Sequence, residues 1–264
     1  MKNKWLVILL TALIFVSIAI LGVTSVYRID KVTLNAYDVS GAAQAEEEVL
    51  QQKLSRLYVG ENMFFADEKE AEKLLQEFPC LRLSAFKKSY PNRIIVEVTE
   101  EAEVYAVGGV DNNYYILSGD GTVLGIRDSY INRLDGAENV LLKGMQVSGH
   151  RGGALTGDKN YPTALSICRK TDELLNGIRR NVVGLEILTQ TPDGVALPDE
   201  VTIFCMTMRE GVKIYIYNPS SNTEQKTQKA IEKYLSLNDG ERLTGKITVS
   251  DNSEEIIVTY AAKE

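Results

Sequence analysis

Apolar and polar positions change their period several times along the chain, and each change marks a predicted element. From Trp5 to Val26 no side chain is charged. Coiled as a helix at about 1.5 Å per residue, a run of about 22 residues reaches ~33 Å, enough for a ~30 Å hydrocarbon layer. The pattern therefore predicts a transmembrane helix over residues 5–27, with Trp5 and Tyr27 at its ends, where amphipathic rings favour the interface. Signal-peptide cores span about 7–15 apolar residues, so length favours a retained anchor over cleavage near Val23-Thr24-Ser25. Lys2 and Lys4 favour a cytoplasmic tail at residues 1–4, leaving residues 28–264 outside a plasma membrane crossed once.

Beyond that run, Ile29, Val32 and Leu34 suggest a first strand, and Val49, Leu50, Leu54 and Leu57 recur at helical spacing up to Gly60. A second helix is expected from Asp67, an N-cap residue with Glu70 at the capping-box position, through to Phe78, where Pro79 stops it. Two strands follow, joined at Tyr90-Pro91-Asn92. Ser84, Phe86 and Lys88 share one face of the first, and Ile94, Val96 and Val98 one face of the second. The order strand, helix, helix, strand, strand over 28–101 predicts one sheet covered on one face by a helix pair.

Residues 102–264 read mostly as strands, at Val104–Val107, Tyr114–Leu117, Thr122–Ile126, Val182–Leu188, Val201–Met208 and Val212–Tyr217, with a final pair, GKITVS and EIIVTY. Helices are predicted from Pro162 and over Asn222–Leu237. The glycine-rich stretch from Glu138 to Asn160 reads as a mobile loop.

The net charge of -7 argues against nucleic acid, which needs a concentrated basic face. Cys80, Cys168 and Cys205 lie far apart, and His150, the single histidine, has no second ligand at metal spacing, so the three cysteines read as small buried residues and neither a metal nor a cofactor is implied. Ser148 and His150 with Asp158 or Asp135 would make a poor triad, lacking any nucleophile elbow. Gly152 to Lys159 imitates a phosphate loop, but Asp158 occupies the lysine position and repels phosphate. Glu97, Glu100, Glu101 and Glu103 could be imagined as paired glycosidase acids, but they read more simply as solvated charge.

Several motifs resemble the FtsQ/DivIB family of bacterial division proteins. The opening hairpin carries most of it: Pro79, Leu81, Phe86, Lys88, Tyr90, Pro91, Ile94, Val96, Val98 and Glu100 stand where that family has a proline, apolar residues, a basic residue, an aromatic-proline turn, three aliphatics and a glutamate. Gly60-Glu61-Asn62-Met63-Phe64 resembles the turn between the family's two POTRA helices, and Tyr115 to Leu124 its strand-turn-strand. Lys226 stands where the family has a lysine on the penultimate helix. The sequence departs at Glu101, a usual arginine, at Glu103, a usual proline, and at Ile247-Thr248-Val249-Ser250, which lacks two usual charges.

The resemblance implies an α+β fold class: an N-terminal transmembrane helix, a POTRA-type β-α-α-β-β domain at 28–101 and a larger mixed β domain with flanking helices at 102–264. It implies a non-enzymatic, single-pass scaffold of the divisome, sited at the septum. The implied partners are FtsL and FtsB (DivIC)-like proteins, with septal peptidoglycan synthases as further candidates, and no small-molecule substrate. The last strand, Ile256 to Tyr260, would offer partners an unpaired backbone edge, with Ile247, Val249, Ile256, Val258 and Tyr260 as the contact residues. Two other classes compete. An exported, membrane-anchored cell-wall hydrolase would need converging acids. A POTRA-containing envelope assembly or transport component would need several such units and a barrel.

Overall fold

The computed structural model describes residues 2–37, 39–109, 112–192, 194–198, 201–252 and 255–262. The chain forms two compact units, Met1–Glu101 and Ala102–Glu264.

Unit 1 contains α1 (Lys2–Val26), β1 (Lys31–Tyr37), α2 (Gly41–Tyr58), α3 (Glu68–Leu75), β2 (Leu81–Ser89) and β3 (Arg93–Glu100). Its sheet has the order β1-β3-β2, with β1 parallel and β2 antiparallel to β3. Alternation decides which face is inside: Ile94, Val96 and Val98 of β3 are fully buried against Leu50, Leu54 and Tyr58 of α2 and Ala71 and Leu75 of α3. The Asp67 side chain caps α3 by accepting from Lys69 N, one residue short of the capping-box position, and the helix ends at Leu75.

The transmembrane part of the expected fold class is corrected. Among the described residues no helix is long and apolar enough to cross a membrane. The α+β class and the large sheet stand without that helix.

Unit 2 contains β4 (Tyr105–Gly108), β5 (Tyr114–Leu117), β6 (Val123–Arg127), β7 (Val140–Lys143), α4 (Tyr161–Leu175), α5 (Ile178–Asn181), β8 (Val182–Leu188), β9 (Ile203–Met208), β10 (Lys213–Tyr217), α6 (Thr223–Ser236), α7 (Asp239–Leu243), β11 (Lys246–Asp251) and β12 (Ile256–Ala261). Among the described residues these strands form one nine-stranded sheet in the order β12-β11-β10-β9-β8-β7-β4-β5-β6. One face is covered by α4 and α6: Phe204, Met206, Ile214, Ile216, Ile247 and Val249 pack there with Ile167 and Ile231. The alternate residues Ile203, Cys205 and Tyr215 form a smaller cluster on the other face under Leu197 and Val201. β9 and β10 are thus buried on both sides, which explains their nearly continuous apolar sequence.

The segment from Glu138 to Asn160 is packed where a mobile loop was expected. β7 lies between β4 and β8, with Val140 and Leu142 buried. Met145, Val147 and Leu155 then enter the core, and Ser148 and Thr156 exchange two backbone hydrogen bonds of 2.8 and 2.9 Å. Its glycines serve geometry. Gly144 has φ +79°, and a Cβ there would lie 2.6 Å from Ile187 O.

Candidate docking edges

The two ends of the nine-stranded sheet are treated differently. At one end the start of β6 is covered by the segment that follows β7: Val123 N donates to Gly153 O (2.9 Å), Gly152 N to Val123 O (2.8 Å), and the Arg151 guanidinium to Leu124 O (3.0 Å). At the other end β12 has a single strand neighbour among the described residues, antiparallel β11. Lys229 Nζ donates to Ile256 O at 3.3 Å, at the very start of that strand. An edge with unpaired N–H and C=O groups is a template for one more strand.

The five proposed contact residues separate into two environments. Ile247 and Val249 on β11 are fully buried and serve the core. Ile256, Val258 and Tyr260 on β12 are half-buried, their inner sides packed on that same core. The other face of β12 carries Ile257, 41% exposed, with Thr259 and Ala261 exposed beside it. Strand alternation at Ile257 was the available signal for this second face.

Local chemistry holds β12 in place. The Tyr260 hydroxyl lies 3.3 Å from both Glu241 O and Thr244 O. Lys226 is wholly buried, and its ammonium donates to Tyr217 O (3.0 Å), Asn218 O (2.7 Å) and Ser221 Oγ (3.0 Å) while pairing with Asp251 Oδ1 at 3.0 Å. It ties the ends of β10 and β11 to α6, just before the chain turns into β12. The hydrogen bond from Lys226 holds the Asp251 carboxyl below its ordinary value.

In unit 1 one sheet edge, β1, is covered, and the other, β2, has a single strand neighbour among the described residues. Gln51 of α2 lies along β1: Leu34 N donates to its Oε1 at 2.7 Å, and its Nε2 donates to Val32 O at 3.1 Å. The opposite edge, β2, carries a register shift between Leu83 and Ala85. The hairpin residues singled out by sequence mostly build this unit. Pro79 and Lys88 are half-buried, Tyr90 and Pro91 are exposed in the turn, and the Phe86 ring lies 5.6 Å from that of Tyr58. Glu100 takes hydrogen bonds from Ser40 N (2.6 Å) and Ser40 Oγ (3.0 Å), fixing the entry to α2.

The acids considered for catalysis are engaged separately. Lys87 pairs with Glu97 at 2.6 Å, and Arg82 lies 3.7 Å from Glu101. Glu103 is 4% exposed and receives two nitrogens of Arg127 and the Arg133 backbone N–H. A proline there would forfeit that buried pair, so the departure at Glu103 is matched by arginines downstream. Asp158 accepts from Gln146 N and Asn160 N, and Asp135 pairs with Arg179 at 2.8 Å. Cys80, Cys168 and Cys205 are buried thiols outside any disulfide, and burial raises the thiol pKa of Cys168 and Cys205.

A three-stranded sheet in the order β1-β3-β2, with two helices over one face and a β-α-α-β-β chain order, defines unit 1 as a POTRA-type domain. Residues 33–101 match the family model described as POTRA domain, FtsQ-type. The match supports an FtsQ/DivIB-family POTRA protein, in agreement with the resemblance read from the hairpin. That family is generally non-enzymatic and is tied to cell division through protein–protein interaction. No curated protein matches the chain.

Proposed function

We propose that the chain is a non-enzymatic scaffold of the bacterial division machinery that gathers septal partners by strand addition. The partners are FtsL and FtsB (DivIC)-like proteins, with septal peptidoglycan synthases as further candidates. The observation that supports this reading is the asymmetry of the large sheet: β6 is covered at Val123 and Leu124 by the segment around Gly153, while β12 has no second strand neighbour among the described residues. An incoming strand would take its affinity from main-chain hydrogen bonds and its register from side chains flanking Ile257 and Thr259. The half-buried Ile256, Val258 and Tyr260 would shape the adjoining apolar surface, and the buried Ile247 and Val249 would support it from below.

The test is a pair of edge substitutions, Ile257→Lys with Thr259→Lys, in a fluorescent fusion expressed in dividing cells. Both side chains are exposed, so the fold should hold while added strands are repelled. Septal fluorescence and capture of division partners by the wild type, with capture lost in the variant, is the expected result. Uniform envelope fluorescence of the wild type would count against a division role, and an unchanged partner set in the variant would remove β12 as the docking edge.

A further inference from the structure

The nine-stranded sheet carries α4 and α6 on one face, and the described residues cover its other face only in part. Leu197 and Val201 lie over Ile203, Cys205 and Tyr215 on one side. On the other side the segment holding Tyr130 is tied to the start of β7, with Asn139 N donating to Tyr130 O at 3.1 Å. Between them a trough of about 310 Å³ runs across β7, β8, β9 and β10, a size at the small end of ligand sites. Gly184 lies in register between Leu141 and Thr207 on its floor and adds no side chain; a Cβ there would lie 2.5 Å from Leu141 O.

Three exposed charges line the trough: Lys143 on β7, Glu186 on β8 and Lys213 on β10. Lys143 and Glu186 are direct cross-strand partners, and Lys213 lies opposite Thr207 on β9. Among the described residues none of the three forms an ion pair or a side-chain hydrogen bond. Glu138, the other acid of the trough, is engaged: the Tyr130 hydroxyl donates to it at 3.3 Å, and Arg209 lies 3.9 Å away. Lys246 stands beside Lys213 in the β10–β11 register, so the β10 end is the more positive one.

The order of charge across the strands is therefore positive, negative, positive. With strands about 4.8 Å apart, Glu186 lies one strand from Lys143, and Lys213 lies three strands from it, roughly 14 Å away. Side chains on one face of an extended peptide recur every ~6.7 Å, so the first and fifth stand ~13 Å apart. A five-residue extended segment lying across the strands matches that span, with acid, base and acid at alternate positions. A polyanion matches less well, because Glu186 repels it. A sugar would find the Tyr130 ring already against Tyr114, at 5.3 Å.

We propose that this trough is a docking site for an extended partner peptide carrying acid, base and acid at alternate positions. Its carboxylates pair with Lys143 and Lys213, and its basic side chain pairs with Glu186. Binding here rests on side-chain charge at the sheet face, whereas strand addition at β12 rests on main-chain hydrogen bonds at the edge. The two sites can fail separately.

The test titrates the whole chain into fluorescein-labelled Asp-Thr-Lys-Thr-Asp amide and reads fluorescence anisotropy, with Lys-Thr-Asp-Thr-Lys amide as the charge-inverted control. The chain's net charge of -7 favours the control, so a preference for the probe comes from the local pattern. The probe should bind about tenfold or more tightly than the control at low salt, and the difference should shrink at high salt. Combining Lys143→Glu, Glu186→Lys and Lys213→Glu should reverse the preference, which a merely disturbed fold would not do. Ile257→Lys with Thr259→Lys should leave the probe's affinity unchanged, separating this site from the β12 edge. No preference between the two peptides, including no binding of either, would overturn the proposal, as would a preference that survives the charge reversal. Displacement of the probe by alginate oligosaccharide as readily as by unlabelled peptide would overturn it in favour of a general anion site.

Discussion

Gln51 does for β1 what a neighbouring strand would do: its side-chain amide accepts from Leu34 N at 2.7 Å and donates to Val32 O at 3.1 Å. A side chain from α2 thereby closes one edge of the POTRA sheet. Gln51→Leu should destabilise unit 1 by about 1–3 kcal/mol, since two partly buried backbone groups lose their partners. Gln51→Glu keeps the acceptor for Leu34 N but sets a carboxylate against Val32 O, so it should recover only part of the loss. Urea denaturation of the purified chain measures both. Equal midpoints for wild type and Gln51→Leu would mean that the edge is closed by something other than this amide.

Lys226 and Asp251 make a second device of the same kind, at the end of the large sheet. Lys226→Met should destabilise unit 2 by about 3 kcal/mol, because the carbonyls of Tyr217 and Asn218 lose a charged donor inside the protein. Asp251→Asn should cost less, about 1–3 kcal/mol, since the amide oxygen can still accept from Lys226 while the wholly buried ammonium loses its counter-charge. Hydrogen exchange offers a sharper readout: in Lys226→Met the amides of β11 and β12 should lose protection before those of β8 and β9. Uniform loss across the sheet would show that Lys226 stabilises the whole unit, with no local hold on the β12 edge.

The buried pair of Glu103 and Arg127 invites a double-mutant cycle. Glu103→Ala should cost about 3–5 kcal/mol, because the Arg127 side chain, 14% exposed, is left charged and unpaired. Replacing both residues with methionine should recover a substantial part of that loss, as apolar side chains remove the unpaired charge. Additive single and double losses in urea would show that the two groups act independently.

Local periodicity made the hairpin legible. Ile94, Val96 and Val98 alternate cleanly and are the buried face of β3. The parallel pairing of β1 with β3 joins segments separated by two helices, and no local pattern encodes such a contact. The stretch around Val140 was misread because its glycines resemble loop composition, yet Val140 and Leu142 keep strand alternation between buried neighbours. Lys226 sits on the apolar stripe of α6 with Ala230 and Tyr234 at four-residue spacing, so a buried ammonium was foreshadowed, although not its four partners. Ile247 and Val249 show the limit from the other side. An inner strand and an edge strand share the same alternation, and only the sheet order separates them.

Titration should bound the stability of the fold on both sides. Lys226 and Arg179, through the hydrogen bonds they donate, hold the carboxyls of Asp251 and Asp135 below the ordinary 3.8. A depressed carboxyl contributes stability that is complete above the unfolded value and is lost as pH falls through the folded one. The acid limb should therefore steepen below about pH 4, and Asp251→Asn should flatten it. Burial pushes Tyr58, Tyr161 and Tyr234 up to about 12 from 10.0. A raised phenol contributes stability that is present below the unfolded value and fades as pH climbs toward the folded one, so the alkaline limb should begin near pH 10. Thermal melting of the chain and of Tyr234→Phe between pH 8 and 12 measures that limb. The variant should lose its Glu210 hydrogen bond of 2.6 Å and start from a lower Tm, yet fall less steeply above pH 10. A slope unchanged by the substitution would mean that the alkaline transition belongs to other groups.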